Sequence, residues 1–358
     1  MMPTAFESSL RMKKVKFAAE IEEGQTFDDV FLVDMIQEKT KKNGGKYWAL
    51  VLRDRTGTIN AKLWDKPEYE LPGPGEFVKV RCESSTYRDE VELKLALIRK
   101  LNPDTEAVEI DDFVPVGPRD RFVQMRELEQ HVRSVCHDGL RAICRRVLSD
   151  PSLEVAFRDA PAAKTMHHAY VGGLIDHVLS ICELVKSTLA SYRRDGRWPD
   201  GDDEFQLSED VLVAAAIWHD IGKTRELTWS TSVGYSSVGS LVGHVVIGLQ
   251  MLDDTWSVFW DGIVDGLDNG AKDLKPSDKE RHQQIWHHLQ HIVASHHGKL
   301  EWGAAKLPMS REAQLFHLLD MIDSRMGAFD VLDKDKVSAE GFGQWSRATD
   351  GPFWRMPR

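Results

Sequence analysis

Apolar and polar residues alternate with a period of two over much of the first hundred positions, which is the spacing of β-strands. The pattern predicts five strands between residues 13 and 101, of which the first covers 27–35 and the last covers 91–98. Trp48, Leu50 and Leu52 fall on one face of the second strand. Five strands of this length predict a closed β-barrel whose core is lined by one face of every strand.

Beyond residue 120 the apolar residues recur at the spacing of an α-helix. The stretches with this period are 123–148, 168–189, 210–219, 241–252, 284–295 and 312–329. The polar segments 193–208 and 253–280 are predicted to connect helices. Residues 102–120 are rich in proline and acidic residues, so we place an interdomain linker there.

The fold class that follows is multidomain α and β. The predicted organisation is an N-terminal five-stranded β-barrel of the OB-fold type over 13–101, the linker 102–120, an all-α domain over 121–332 and a C-terminal tail over 333–358. A chain of 358 residues is long enough for two such domains.

The composition is that of an ordinary globular protein. The longest apolar run, 211–218, is too short to span a bilayer, so we expect no membrane segment. Residues 1–17 lack the apolar core of a signal peptide, and we therefore expect a cytoplasmic protein. The net charge of −11 lies after the barrel, since residues 13–101 hold 17 Lys and Arg against 16 Asp and Glu. A nearly neutral barrel leaves nucleic-acid binding open.

Histidine and aspartate residues recur at the ends or inner faces of successive helices. In chain order they are His177, His219-Asp220, His244, His296-His297 and Asp320. Imidazole and carboxylate groups together bind divalent ions such as Mn, Fe, Co or Zn, and an oxygen-rich set also admits Mg. The pattern predicts one or two metal ions that activate water for the hydrolysis of phosphate esters.

These residues resemble the H…HD…D motif of the HD superfamily of metal-dependent phosphohydrolases, so the all-α domain is expected to be an HD domain. The match includes the whole segment His-Asp-Ile-Gly-Lys at 219–223, which is more specific than the dipeptide alone. Over residues 20–330 the chain further resembles the YhaM family of 3′–5′ exoribonucleases, which also carries an N-terminal OB-fold. The segments that carry this resemblance are 167–174, 295–301 and 321–326.

The resemblance implies a divalent-metal cofactor, with two ions and manganese preferred. The residues to which it assigns metal binding are His177, His219, Asp220, His244, His296, His297 and Asp320. Asp220 and Lys223 are the expected catalytic residues, with Lys223 at the substrate phosphate. His168 is added to them, although His167 and His168 could instead simply begin a helix. Asp323 shares a helix face with Asp320, so either could be the ligand, and Asp320 is preferred.

The outer face of the barrel carries aromatic and basic side chains. The candidates for nucleic-acid binding are Tyr47, Arg53, Lys62, Trp64 and Lys94. Such a face binds single strands by stacking bases and neutralising phosphates. A solvated face or a face that contacts the other domain explains the same residues equally well.

The function expected is that of a metal-dependent 3′–5′ exonuclease that hydrolyses phosphodiester bonds of single-stranded RNA, with DNA as a second substrate left open. One alternative is an HD phosphohydrolase acting on nucleotides or cyclic dinucleotides. Against cyclic dinucleotides, His296-His297 is followed by Gly298-Lys299-Leu300 rather than by the Asp-Gly-x-Gly-Tyr-Pro stretch of that subclass. Another alternative is a non-catalytic RNA-binding adaptor. Assembly into a homo-oligomer is left open.

Overall fold

A computed structural model describes residues 10–41, 43–65, 69–88, 90–165, 167–194, 207–264, 279–332, 337–346 and 349–356. The chain divides into two compact units, Met1–Val116 with Trp229–Ser232, and Gly117–Thr228 with Val233–Arg358. Within the described ranges, no helix combines the length and apolar character needed to cross a membrane.

The first unit is built on a closed barrel. Its strands are β1 (Leu10–Met12), β2 (Thr26–Thr40), β3 (Lys46–Asp54), β4 (Gly57–Leu63), β5 (Phe77–Tyr87), β6 (Glu90–Lys100) and β7 (Glu106–Val108). The barrel closes in the order β2-β3-β4-β6-β5. The β4–β6 pair is parallel, and the other barrel pairs are antiparallel. This topology confirms the five-stranded OB-fold predicted from the alternating pattern.

Side-chain alternation on β3 explains the barrel core. Trp48, Leu50 and Leu52 are 7%, 2% and 0% exposed, which confirms the predicted inward face. Strand β2 is longer than the predicted 27–35 because its two halves pair with different neighbours, β5 and β3. The register with β3 shifts between Val33 and Met35, where the strand bends from one partner to the other.

Residues 102–120, expected to link the domains, contain regular structure. Strand β7 pairs in parallel with β1, and a 3₁₀ helix covers Ile110–Asp112. Phe113 is fully buried against Leu32 and Leu101 of the barrel unit. The acidic and proline-rich composition of the segment gave no indication that Phe113 would be buried. The domain boundaries proposed from the sequence stay predictions.

The second unit is mainly α-helical. Its helices are α1 (Arg121–Ser134), α2 (Asp138–Ser149), α3 (Pro151–Asp159), α4 (Gly173–Arg194), α5 (Glu209–Trp218), α6 (Lys223–Glu226), α7 (Ser237–Val242), α8 (His244–Val264), α9 (Lys279–Ser295) and α10 (Arg311–Leu332). Side chains cap several N-termini. Asp120 accepts from the amides of Phe122 and Val123, and Ser208 accepts from that of Val211.

Several helix boundaries expected from the sequence are wrong. The stretch 168–189 is helical only from Gly173, and 241–252 is divided at Gly243 between α7 and α8. The stretch 123–148 is two helices, because the side chain of His137 caps the start of α2.

The predicted connection 253–280 is helical up to Val264. Trp256 and Trp260 lie four residues apart on one buried face of α8. Burial of these two rings stabilises the helix although the segment also contains acidic residues. The remaining parts of the two predicted connections, 195–206 and 265–278, lie outside the described residues.

The segment 333–358, expected to be a tail, contains an antiparallel hairpin. Its strands are β10 (Phe342–Ser346) and β11 (Gly351–Trp354). A separate short antiparallel pair, β8 (Leu227–Thr228) and β9 (Gly234–Tyr235), lies earlier in the chain. Phe353 is 2% exposed and lies over Gly343, where an added Cβ would meet the phenyl ring at 2.0 Å. A glycine at this position lets the aromatic ring cover the neighbouring strand.

Candidate metal centre

The site is assembled around the end of α5, a helix buried from Val211 to Trp218. His219 continues the helical conformation, and its amide still bonds to the carbonyl of Ala215. A Cβ on Gly222 would lie 2.0 Å from the carbonyl oxygen of His244. Because only glycine permits this approach, the start of α8 packs directly on the turn that carries Asp220.

One cluster of ligand-type atoms combines α4, α5 and α10. Nε2 of His177 lies 3.1 Å from Nε2 of His219 and 3.3 Å from Oδ1 of Asp320. Oδ2 of Asp220 lies 3.3 Å from Nε2 of His219 and 3.6 Å from Nε2 of His177. His177 and His219 are fully buried. His177, His219 and Asp320 could hold one divalent ion, and the Asp220 carboxylate lies beside them.

A second cluster lies on the other side of Asp220. Nε2 of His244 is 3.2 Å from Nε2 of His297. Oδ1 of Asp220 is 3.4 Å from Nε2 of His244 and 3.7 Å from Nε2 of His296. The two oxygens of one carboxylate therefore face two different histidine groups. His244, His296 and His297 are close enough together to share an ion.

Hydrogen bonds at the far nitrogen set the orientation of four of these rings. Nδ1 of His177 lies 2.7 Å from Oδ2 of Asp323, and Nδ1 of His244 lies 3.1 Å from Oε1 of Glu226. Nδ1 of His219 lies 3.0 Å from the carbonyl oxygen of Ala216, and Nδ1 of His296 lies 2.7 Å from that of Val293. When Nδ1 donates in this way, the neutral ring presents a lone pair at Nε2. Metal-binding histidines are oriented by this kind of bond.

The donor set fits a cation. Oδ1 of Asp220 and Nε2 of His296 are buried without a hydrogen-bond partner among the described residues. Burial alone would raise the pKa of Asp220, but Lys223 and His219 hold it well below its usual value. Burial and the neighbouring His297 lower the pKa of His296, which favours its neutral form. Deprotonated carboxylate and neutral imidazole are the ligand forms that divalent ions require.

Asp320 and Asp323 lie on different sides of His177. Asp320 faces Nε2, where His219 and Asp220 converge, whereas Asp323 faces Nδ1. Asp323 also lies 2.9 Å from Nε2 of His168. Asp320 therefore shares the space into which the other ligand-type atoms point, and Asp323 stands behind the ring.

The three predicted catalytic residues occupy different positions. Asp220 is central, and Nζ of Lys223 lies 2.5 Å from its Oδ2. His168 lies behind His177, with Nδ1 2.9 Å from the hydroxyl of Tyr170. The Tyr170 hydroxyl donates in turn to Asp176. The structure thus places His168 in a chain of hydrogen bonds that supports a ligand-type histidine.

Two side chains of this site were not predicted from the sequence: the carboxylate of Glu226 and the phenol of Tyr170. Glu226 is 8% exposed and binds both the amide and Nδ1 of His244. It lies on the four-residue helix α6, which is too short to show a periodic pattern. Tyr170 stood within the segment 167–174, but nothing in its spacing linked it to His168.

The residues proposed to bind nucleic acid lie on the barrel, and the structure shows which neighbours each of them has. Tyr47 and Trp64 stack with ring centroids 5.0 Å apart. Lys62 binds Glu92 at 2.6 Å and lies opposite Lys94 on the parallel strand. The remaining candidate, Arg53, pairs with Asp34 at 3.4 Å and donates to the carbonyl of Thr231 at 2.8 Å. Ion pairing thus reduces the positive charge that Lys62 and Arg53 present.

Comparison with known proteins agrees with both domains. Residues 30–101 match the family model of the OB-fold nucleic acid binding domain, and 174–325 match that of the HD domain. A solved second OB-fold domain of replication protein A from Methanococcus maripaludis aligns with 26% of this chain and 96% of its own at 20% identity, with a TM-score of 0.21. Fold and site together define a hydrolase of the HD class that carries an OB-fold domain.

The family follows from two curated relatives, both named 3′–5′ exoribonuclease YhaM. The protein of Geobacillus sp. (strain WCH70) is 33% identical over 88% of this chain and 87% of its own length. That of Bacillus subtilis (strain 168) is 32% identical over 86% of this chain and 88% of its own. The chain belongs to the YhaM family.

Proposed function

We propose that this protein is a metal-dependent 3′–5′ exoribonuclease that degrades single-stranded RNA with two divalent ions, preferably Mn²⁺. The proposal combines the membership of the YhaM family with the geometry of the HD site. The metal ligands proposed are His177, His219, Asp220, His244, His296, His297 and Asp320.

The observation that carries the proposal is the position of Asp220 between two histidine groups. Its Oδ2 faces His177 and His219, and its Oδ1 faces His244 and His296. A carboxylate placed in this way can bridge two cations, an arrangement suited to phosphodiester hydrolysis. This supports two ions rather than one.

The bound ions supply Lewis acidity, which lowers the pKa of water to about 7 and neutralises phosphate oxygens. The protein residues hold that chemistry in place. Asp323 and Glu226 orient the imidazoles of His177 and His244 through Nδ1. Nζ of Lys223 lies 2.5 Å from Oδ2 of Asp220, from where it can contact a substrate phosphate.

The barrel is proposed to bind the single strand. Trp64 is 40% exposed and stacks on Tyr47, while the ammonium of Lys41 lies 5.3 Å from the Trp64 ring centroid. Exposed aromatic rings next to cations suit bases and phosphates without sequence preference. Lys94 is exposed on the neighbouring strand β6.

The test is product analysis with 5′-labelled single-stranded RNA and Mn²⁺. We expect labelled strands that shorten stepwise from the 3′ end, together with unlabelled mononucleotides released from that end. Asp220→Asn should abolish cleavage, because it weakens both ion positions while keeping the side-chain shape. Asp261→Asn, at an exposed position of α8, is the matched control and should cleave normally.

Undiminished cleavage by Asp220→Asn would overturn the proposed mechanism. Hydrolysis of mononucleotides or cyclic dinucleotides without cleavage of RNA would instead favour a nucleotide phosphohydrolase. RNA binding without cleavage at saturating Mn²⁺ would favour the adaptor hypothesis.

A further inference from the structure

Trp302 is an exposed aromatic residue beside the second histidine group. It ends a 3₁₀ helix, Leu300–Trp302, and is 43% exposed. The next residue, Gly303, has a positive φ of 93°, and a Cβ built there would lie 3.4 Å from Nδ1 of His297. The chain that follows the indole therefore runs directly against a proposed metal ligand.

A neighbouring histidine links Trp302 to the same group. Nδ1 of His317 donates to the carbonyl of His296 at 2.8 Å, and its ring centroid is 6.3 Å from that of Trp302. A Cβ on Gly298 would collide with the His317 ring at 2.1 Å, so the ring packs on bare backbone. The position of the indole is thus tied to His296 and His297.

A cation accompanies the indole. Nζ of Lys299 lies 4.2 Å from the Trp302 ring centroid, and its side chain is 54% exposed. Glu301 approaches Nζ at 3.6 Å, but both side chains are mostly in solvent, where such pairs contribute little. An aromatic face next to a positive charge has the chemistry that recognises a base and its phosphate.

We propose that Trp302 stacks on the base of the 3′-terminal nucleotide of the RNA substrate and that Lys299 contacts the adjoining phosphate. The inference rests on the proposed exoribonuclease function and names the residue that holds the nucleotide to be released. Stacking accepts every base, because each has a π-face. The subsite therefore allows stepwise digestion of any sequence.

The first test uses RNA that carries 2-aminopurine at its 3′ end, with the metal-free protein so that no cleavage occurs. Binding should quench the fluorescence through stacking on the indole. Trp302→Leu should lose this quenching, and Trp302→Phe should retain most of it. Leu300→Ala, which removes another exposed apolar side chain from the same turn, is the matched control and should quench as wild type does.

The second test compares kcat/KM for RNA with an intact and with an abasic 3′-terminal nucleotide. Wild type should lose about 5- to 150-fold on the abasic substrate, which is the range of base stacking on an aromatic side chain. Trp302→Leu should lose a similar factor on intact RNA and show no further loss on abasic RNA. Metal content and circular dichroism equal to wild type would exclude a folding defect.

The proposal falls if Trp302→Leu distinguishes the two substrates as wild type does. In that case the exoribonuclease function stands, since wild type still degrades RNA. It also falls if the substitution changes the sedimentation of the protein but not its kinetics on RNA, because Trp302 would then belong to a protein contact. Absence of RNA cleavage by wild type with Mn²⁺ would overturn the proposed function itself.

Discussion

Nδ1 of His177 donates a hydrogen bond of 2.7 Å to Oδ2 of Asp323. The bond fixes the imidazole so that Nε2 points at His219 and Asp320. Two aspartates that lie three residues apart on α10 therefore differ in position, because Asp323 bonds to Nδ1 whereas Asp320 lies on the Nε2 side of the ring, which faces His219 and Asp220.

Asp320→Asn and Asp323→Asn should differ in their effect on metal binding. Loss of the Asp320 carboxylate should remove an ion from the first group, whereas loss of the supporting Asp323 carboxylate should weaken metal affinity about 10- to 100-fold. Isothermal titration with Mn²⁺ measures both. Equal affinities for the two variants would contradict the assignment of Asp320 as the ligand.

Glu226→Gln should weaken the second ion selectively. Glu226 accepts from Nδ1 of His244, and loss of such a partner costs about 10- to 100-fold in metal affinity. At limiting Mn²⁺ the metal content should fall from two ions per chain towards one, as measured by elemental analysis. Glu280→Gln, at an exposed position of α9, is the control. Unchanged metal content in Glu226→Gln would argue against this orienting role.

Metal binding should release a proton from His177. Burial alone would lower the pKa of this residue, but hydrogen bonds to Asp320 and Asp323 raise it to about 9 in the metal-free protein. Below pH 9 an ion must displace that proton, so affinity should rise with pH and level off above 9. Calorimetry in buffers of different ionisation enthalpy counts the protons. Affinity independent of pH between 7 and 9 would contradict the prediction.

Lys14→Ala should destabilise the barrel unit. The Lys14 ammonium is buried 3.4 Å from Asp29 and 3.3 Å from Asp54, and both carboxylates are buried as well. Removing one partner of a buried ion pair costs about 3–5 kcal/mol of unfolding free energy. Urea denaturation measures the loss. Lys13→Ala is the exposed control, and a similar loss in both variants would exclude this explanation.

Trp64→Ala should weaken the binding of single-stranded RNA to the metal-free protein without changing its fold. Removing one stacking platform should cost about 1–3 kcal/mol of binding free energy. Fluorescence anisotropy with a labelled oligonucleotide measures this change. Leu97→Ala, also exposed on the barrel, is the comparison variant. Equal affinity of wild type and Trp64→Ala would favour a solvated barrel face.

The two architectures and the chemical class of the site could be predicted from the sequence. Alternation on β3 placed Trp48, Leu50 and Leu52 in the barrel core, because a strand exposes its two faces in turn. The apolar helix before His219-Asp220, together with the spaced histidines, indicated a metal-binding hydrolase. These signals are local, and each can be read within one element.

Features that depend on distances between elements could not be predicted from the sequence and became visible in the packed structure. The separation of Asp320 from Asp323 is set by the rotation of α10 against α4, and the role of Glu226 by the packing of α6 beneath the start of α8. Likewise, Phe113 became part of the barrel unit because distant residues bury it. The sequence pattern does not show which ring nitrogen a carboxylate contacts or which distant residue buries a side chain, because such contacts have no fixed spacing along the chain.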